Sequence, residues 1–143
     1  MDLATGPIIA SHSNARALVP TDRQLSDDMI KAIVNRGGVI GINFYDKFTM
    51  LPKDYSTRKA KMSDIVQHMK YMCDLIGNAN HVAIGTDLDG GIGRENIPPE
   101  IETIADLHKV GDALSAAGFN DQDVKKILSE NWLAFFSRAL PAT

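Results

Sequence analysis

The sequence predicts an α/β fold of parallel strands with flanking helices, and three observations carry that prediction. Short apolar runs alternate with helical repeats three times in succession, the pattern of right-handed βαβ units. Val39-Ile40-Gly41-Ile42 and Val82-Ala83-Ile84 are apolar at consecutive positions, as strands covered on both faces require. A chain of 143 residues, 44% hydrophobic and 23% charged, has the size and composition of one globular domain, with no internal linker or low-complexity segment.

The first strand is read in Gly6-Pro7-Ile8-Ile9-Ala10, over residues 7–12, too short for a helix and ending at Ser11-His12-Ser13. A helix follows: Ser26 can cap it, Asp27 and Asp28 suit the positive end of its dipole, and Leu25 can staple onto Ile30. Met29, Ile30, Ile33 and Val34 keep helical spacing until Gly37-Gly38. The second strand lies in residues 38–44. After a polar connection, Ser63 can cap a helix whose apolar face runs Ile65, Met69, Met72 and Ile76 and stops at Gly77. The third strand lies in residues 81–87 and runs into Thr86-Asp87-Leu88-Asp89-Gly90-Gly91. Beyond Pro98-Pro99 a helix is expected over Glu100 to Ala117, with Ile101, Ile104, Ala105, His108 and Leu114 near one face. Asn120 then caps a last helix carrying Val124, Ile127, Leu128, Trp132 and Phe135, with Asp123 as the reciprocal acid. A closed eight-stranded α/β barrel takes about 250 residues, so a chain of this length could hold only part of one.

Fifteen Lys and Arg against eighteen Asp and Glu give a net charge of −3, without the concentrated basic face of a nucleic-acid binder. No apolar run approaches the roughly 20 residues that span a bilayer. Met1-Asp2-Leu3-Ala4 carries no export signal, which gives the expectation of a cytoplasmic protein. Cys73 is a single cysteine at helical spacing from Met69, Met72 and Ile76, and reads as a core thiol.

In parallel α/β folds, ligand-binding groups sit beyond the carboxyl ends of strands. His12 ends the first strand, where it is a metal ligand, an acid/base group or an imidazole satisfied by a backbone carbonyl. Asp87 ends the third strand and is expected to face the pocket, whereas Asp89 is expected to bond local backbone N–H groups in a turn. Arg16 and Arg23 follow His12, and each can clamp a carboxylate or simply be solvated. Gly90-Gly91-Ile92-Gly93-Arg94 lacks the Lys-Ser/Thr pair of a phosphate cradle, and His68, His81 and His108 lack partners at ligand spacing.

Four stretches, residues 7–16, Arg23-Gln24-Leu25-Ser26-Asp27, Gly37 to Phe44 and Val82 to Gly90, together with Ile127 to Leu133, resemble the membrane (renal) dipeptidase family of zinc peptidases, in order and over nearly the whole chain. The resemblance implies strands six to eight of a (β/α)₈ TIM barrel, residues 1–143 forming a single partial domain. It also implies two zinc ions that activate water against a dipeptide's peptide bond. Position by position, His12 would be a zinc ligand. Asp87 would pass the proton from water to the leaving amine, and Arg23 would hold the dipeptide's free carboxylate. Arg16 inherits no catalytic role.

The family's other ligands, a His-x-Asp pair, a bridging Glu and a second zinc histidine, would lie ahead of Met1. One His and one Asp do not make two zinc sites, since a catalytic zinc generally takes three protein ligands. The expectations are therefore a metallo-dipeptidase portion inactive alone, completed by another chain or a homo-oligomer, or else a non-catalytic truncated module used in assembly or binding.

Overall fold

The computed structural model describes residues 5–140, so the reading of Met1 to Ala4 lies outside the described residues. Helix α1, Asp27–Asn35, begins where Ser26 accepts a hydrogen bond from the Met29 N–H and buries Ile30 and Ile33. Strands β1, Ile40–Ile42, and β2, Val82–Ile84, pair in parallel, with Ile40 opposite Val82 and Ile42 opposite Ile84. The first expected strand is reduced to a single parallel bridge, Ala10 to Ile40, with Ala10 N donating to Val39 O at 3.1 Å and Gly41 N to Ala10 O at 2.8 Å. Its shortness has a cause: Pro7 has no N–H to give a ladder, and Ile9, with β1 on one side only, is 40% exposed. The spatial order is first segment, β1, β2, as the repeating units require.

The connection after β1 holds a short helix α2, Asp46–Thr49, and a 3₁₀ turn, Pro52–Asp54. Helix α3, Met62–Ile76, starts two residues earlier than a Ser63 cap would give, because Asp64 accepts from the Lys61 N–H at 2.8 Å and so makes Lys61 the capping residue. Ile65, Met69 and Met72 are buried as expected, and Gly77 closes the helix in the left-handed region at φ 83°.

The helix expected over Glu100 to Ala117 needs correction. Helix α4 covers only His108–Ala116, preceded by a 3₁₀ turn over Ile104–Leu107. Thr103 and Asp106 cap each other's backbone and restart the chain there, which turns Ile104 out to 79% exposure and leaves Val110 and Leu114 as the buried face. Asn120 caps α5, Asp121–Lys125, by accepting from the Asp123 N–H at 2.9 Å. The reciprocal bond to Asp123 comes from the Asn120 carboxamide and not from its backbone N–H. A π turn, Lys126–Glu130, joins α5 to α6, Asn131–Ala139. It aims Asn131 at the sheet, where its Nδ2 donates to Ala79 O and Val82 O, both at 2.7 Å, while Trp132 Nε1 donates to Ile84 O at 2.8 Å.

One core cluster joins α1, β1, α3, β2 and α4 through Ile30, Ile42, Met69, Val82 and Leu114, and a smaller one places Phe135 on Val39 and Ala83. Because strand side chains alternate, the two clusters take opposite faces of the sheet. Among the described residues no helix is long and apolar enough to cross a membrane.

Candidate functional site

The carboxyl ends of all three strand segments share one edge. There the chain after Ala10 crosses the sheet so closely that a Cβ on Gly41 would lie 2.1 Å from Ser11 O, and one on Gly85 2.0 Å from it. Only glycine allows that approach, and it sets His12 above the ends of β1 and β2.

Asp87, three residues past β2, holds φ 62°, in the left-handed region that costs an L residue about 1 kcal/mol or more and that Asp tolerates best among charged side chains. Its Oδ2 accepts from Asn43 Nδ2 at 3.0 Å. Gly90 gives it room, since a Cβ there would meet Asp87 Oδ1 at 2.6 Å. The turn closes through Gly90 N and Asp87 O at 3.0 Å. Asp89 is exposed and none of the side-chain hydrogen bonds among the described residues is its own, a correction to its expected turn role; the Asp87 carbonyl and Thr86 Oγ1, which Leu88 N meets at 3.4 Å, do that work.

Arg23 sits on the His12 loop. Its Nη2 donates to His12 O at 3.0 Å, its Nη1 to Ser13 Oγ at 3.1 Å, and the guanidinium lies 4.9 Å from the centre of the Phe48 ring. Two of its five N–H groups are so engaged, which leaves others for a carboxylate. Arg16, in contrast, is a brace: its Nε donates to Gln24 O at 3.0 Å and its Nη2 to Asp22 O at 3.2 Å. The exposed His12 meets Ser11 Oγ through Nδ1 at 2.7 Å, and Nε2 makes no hydrogen bond among the described residues.

The residues that bring these groups together escaped the sequence reading. Asn14 and Asn43 are wholly buried and clasp each other: Asn43 N donates to Asn14 Oδ1 at 2.8 Å, and Asn14 Nδ2 donates to Asn43 O at 3.0 Å and Phe48 O at 2.9 Å. Gln24, also buried, accepts from Asn14 N at 3.0 Å. A polar carboxamide closing the apolar run Val39 to Ile42 is the signal that marks Asn43, because a buried amide must find partners.

Behind the clasp, His68 accepts from Ala15 N through Nδ1 at 3.1 Å, with Nε2 near the Thr49 carbonyl but short of full hydrogen-bond geometry. Burial pushes its pKa down to about 4, against a smaller opposing pull from Thr49, so it is neutral and structural. His81 meets Gly38 O and His108 meets Ala105 O, each through Nδ1. Burial pushes the Cys73 thiol up to about 12, so it is no nucleophile.

Among the described residues no group of three or more His, Cys, Asp or Glu could hold a metal ion. The donor set of the described residues therefore does not fit a complete zinc site, although an exposed imidazole such as that of His12 could serve as a single ligand.

The sequence signature of the membrane dipeptidases, peptidase family M19, matches residues 1–140. An uncharacterised Klebsiella pneumoniae protein from the pqqA 5′ region is 37% identical over 91% of this chain and 46% of its own length. The Claviceps purpurea dipeptidase tcpJ is 28% identical over 92% of this chain and 29% of its own. In three dimensions the chain is similar to a Rhodobacter sphaeroides metallo peptidase, solved with a phosphinate mimic of the dipeptide L-Ala-D-Ala, at a TM-score of 0.85 and 28% identity over 97% of this chain and 38% of the other. It is equally similar to the dipeptidase AC, an M19 metallo peptidase, at a TM-score of 0.84 and 29% identity over 99% of this chain and 40% of the other. The chain spans less than half the length of each of these relatives, yet nearly all of it aligns in sequence and in space. It belongs to the membrane dipeptidase family, peptidase family M19.

Proposed function

We propose that this chain forms the substrate-carboxylate and proton-handling side of a zinc-dependent dipeptidase, at about strands six to eight of a (β/α)₈ barrel, and that it does not hydrolyse dipeptides alone. The observation that supports this reading is the convergence of the His12 loop, Arg23 and Asp87 on one network of buried carboxamides at the carboxyl edge of the sheet. Arg23 takes the free carboxylate of a dipeptide on its remaining N–H groups, held flat by the Phe48 ring. Asp87, with Oδ2 engaged by Asn43, uses Oδ1 to take a proton from the attacking water and returns it to the leaving amine. Zinc is the metal, two ions in the complete enzyme, with His12 giving one ligand and the rest of the set coming from beyond the described residues.

The test is a chimera in which the full chain replaces the segment of the Rhodobacter sphaeroides peptidase on which it superposes. Loaded with zinc, it is expected to hydrolyse L-Ala-D-Ala, while Asp87→Asn lowers kcat about 100-fold or more. The chain by itself is expected to retain no zinc through dialysis and to release no alanine. A folded, zinc-loaded chimera without activity, or an Asp87→Asn variant with full activity, refutes the reading and leaves the non-catalytic module in its place.

A further inference from the structure

We propose that Asn43 is a positioning residue that selects which oxygen of Asp87 does the proton transfer; this rests on the reading of Asp87 as the acid/base group. Asn43 is wholly buried, and its carboxamide has one permitted orientation. Oδ1 accepts from the Tyr45 N–H at 2.7 Å, so Nδ2 must face Asp87 Oδ2, which it meets at 3.0 Å. A flipped amide would set N–H against N–H at Tyr45 and oxygen against oxygen at Asp87, losing both bonds. The residue cannot swing away either, since Asn14 grips its backbone N–H and C=O at 2.8 and 3.0 Å, and Asn14 is held in turn by Gln24 and by Phe48 O.

The consequence falls on the carboxylate. Asp87 stands on a backbone at φ 62°, and its one side-chain hydrogen bond among the described residues is the one to Asn43. One rigid donor on Oδ2 fixes it and leaves Oδ1, which lies against Gly90, as the oxygen without a hydrogen bond of its own. A neutral donor suits the task better than Lys or Arg, because a cation at this distance would hold the carboxylate charged and weaken it as a base. No hydrogen bond among the described residues joins Asn43 to the Arg23 guanidinium, which hangs on His12 O, Ser13 Oγ and the Phe48 ring. Its loss is therefore expected in the chemical step and not in binding.

Two substitutions in the same chimera separate this role from a merely structural one. Asn43→Asp keeps the shape and the acceptor for the Tyr45 N–H but turns an oxygen toward Asp87. Asn43→Ser keeps a hydroxyl able to accept from Tyr45 N–H and is too short to reach Asp87. Both are expected to lower kcat roughly tenfold or more with KM within about twofold of the parent. A side-chain amide spectrum of the full chain adds a readout without catalysis: Asp87→Ala is expected to shift the Asn43 carboxamide signals. Unchanged kcat in both variants, with Asp87→Asn inactive, overturns the positioning role alone. A rise in KM matching the fall in kcat, or failure of both variants to fold, assigns Asn43 to the loop or the fold and also overturns it. Full activity in Asp87→Asn overturns instead the acid/base reading of Asp87.

Discussion

A single neutral imidazole supports the loop that carries the site. His68 accepts from the Ala15 N–H, one residue past Asn14, and can do so only while Nδ1 is unprotonated. Its folded pKa, about 4, lies below its ordinary 6.5, so the unfolded chain binds the proton first as pH falls. The His68 contribution is complete above pH 6.5 and is lost on descent from 6.5 to about 4, by about 3 kcal/mol. His68→Gln, which can accept from Ala15 N and does not titrate, isolates the effect: the stability gap between the two proteins in urea is expected to shift by that amount between pH 7 and pH 4. A gap that does not move contradicts the depressed pKa. At Arg23 the expectation concerns binding. In the zinc-loaded chimera Arg23→Ala should raise KM for dipeptides about 10- to 100-fold, since a carboxylate clamp acts in ground and transition states alike. Arg16→Ala should leave KM within about twofold, because that guanidinium is spent on the Asp22 and Gln24 carbonyls.

At the scale of elements, the tightest constraint is the passage of Ser11 over β1 and the end of β2. Gly85→Ala would drive a Cβ to 2.0 Å from a backbone oxygen that has nowhere to retreat. A loss of about 2–3 kcal/mol is expected from urea midpoints. Ala at Gly77, where no atom lies within 4 Å, meets only the strain of its positive φ and is expected to cost about 1 kcal/mol. This geometry also explains what the sequence could and could not reveal. The apolar runs at 39–42 and 82–84, the Ser26 and Asn120 caps and the glycine stops are local signals, and the elements they mark are present. Apolar periodicity carries the helix back to Glu100 because it cannot register a new cap at Thr103 and Asp106 inside that stretch. His12, Arg23 and Asp87 are conspicuous as residue types at strand ends. Asn14, Gln24 and Asn43 were not, because a carboxamide shows its importance only through partners distant in sequence, here 10, 29 and 44 residues away.

At the scale of the whole molecule, a sheet segment with two open sides leaves apolar surface uncovered. Leu133 and Phe136 on α6 and Leu140 just past it are 66%, 42% and 62% exposed, and Ile9 and Met29 are similarly bare. Self-association is the expected response, and sedimentation equilibrium of the full chain should show a dimer or larger species. A cooperatively folding monomer at tens of micromolar would contradict it. The π turn at Lys126–Glu130 bears on another property of the molecule, its tolerance to changes in length. A π turn is an α-helix holding one residue too many, so deletion of one residue there would cost the helix nothing and even regularise its hydrogen bonds. Because the wider turn takes up the extra residue, side chains beyond the deletion would keep nearly their present direction around the axis. Asn131 and Trp132 would therefore still face the carbonyls of Ala79, Val82 and Ile84 that they now close. Ser129 and Glu130 are exposed, so that stretch is expected to tolerate the loss of one residue as well as changes of identity.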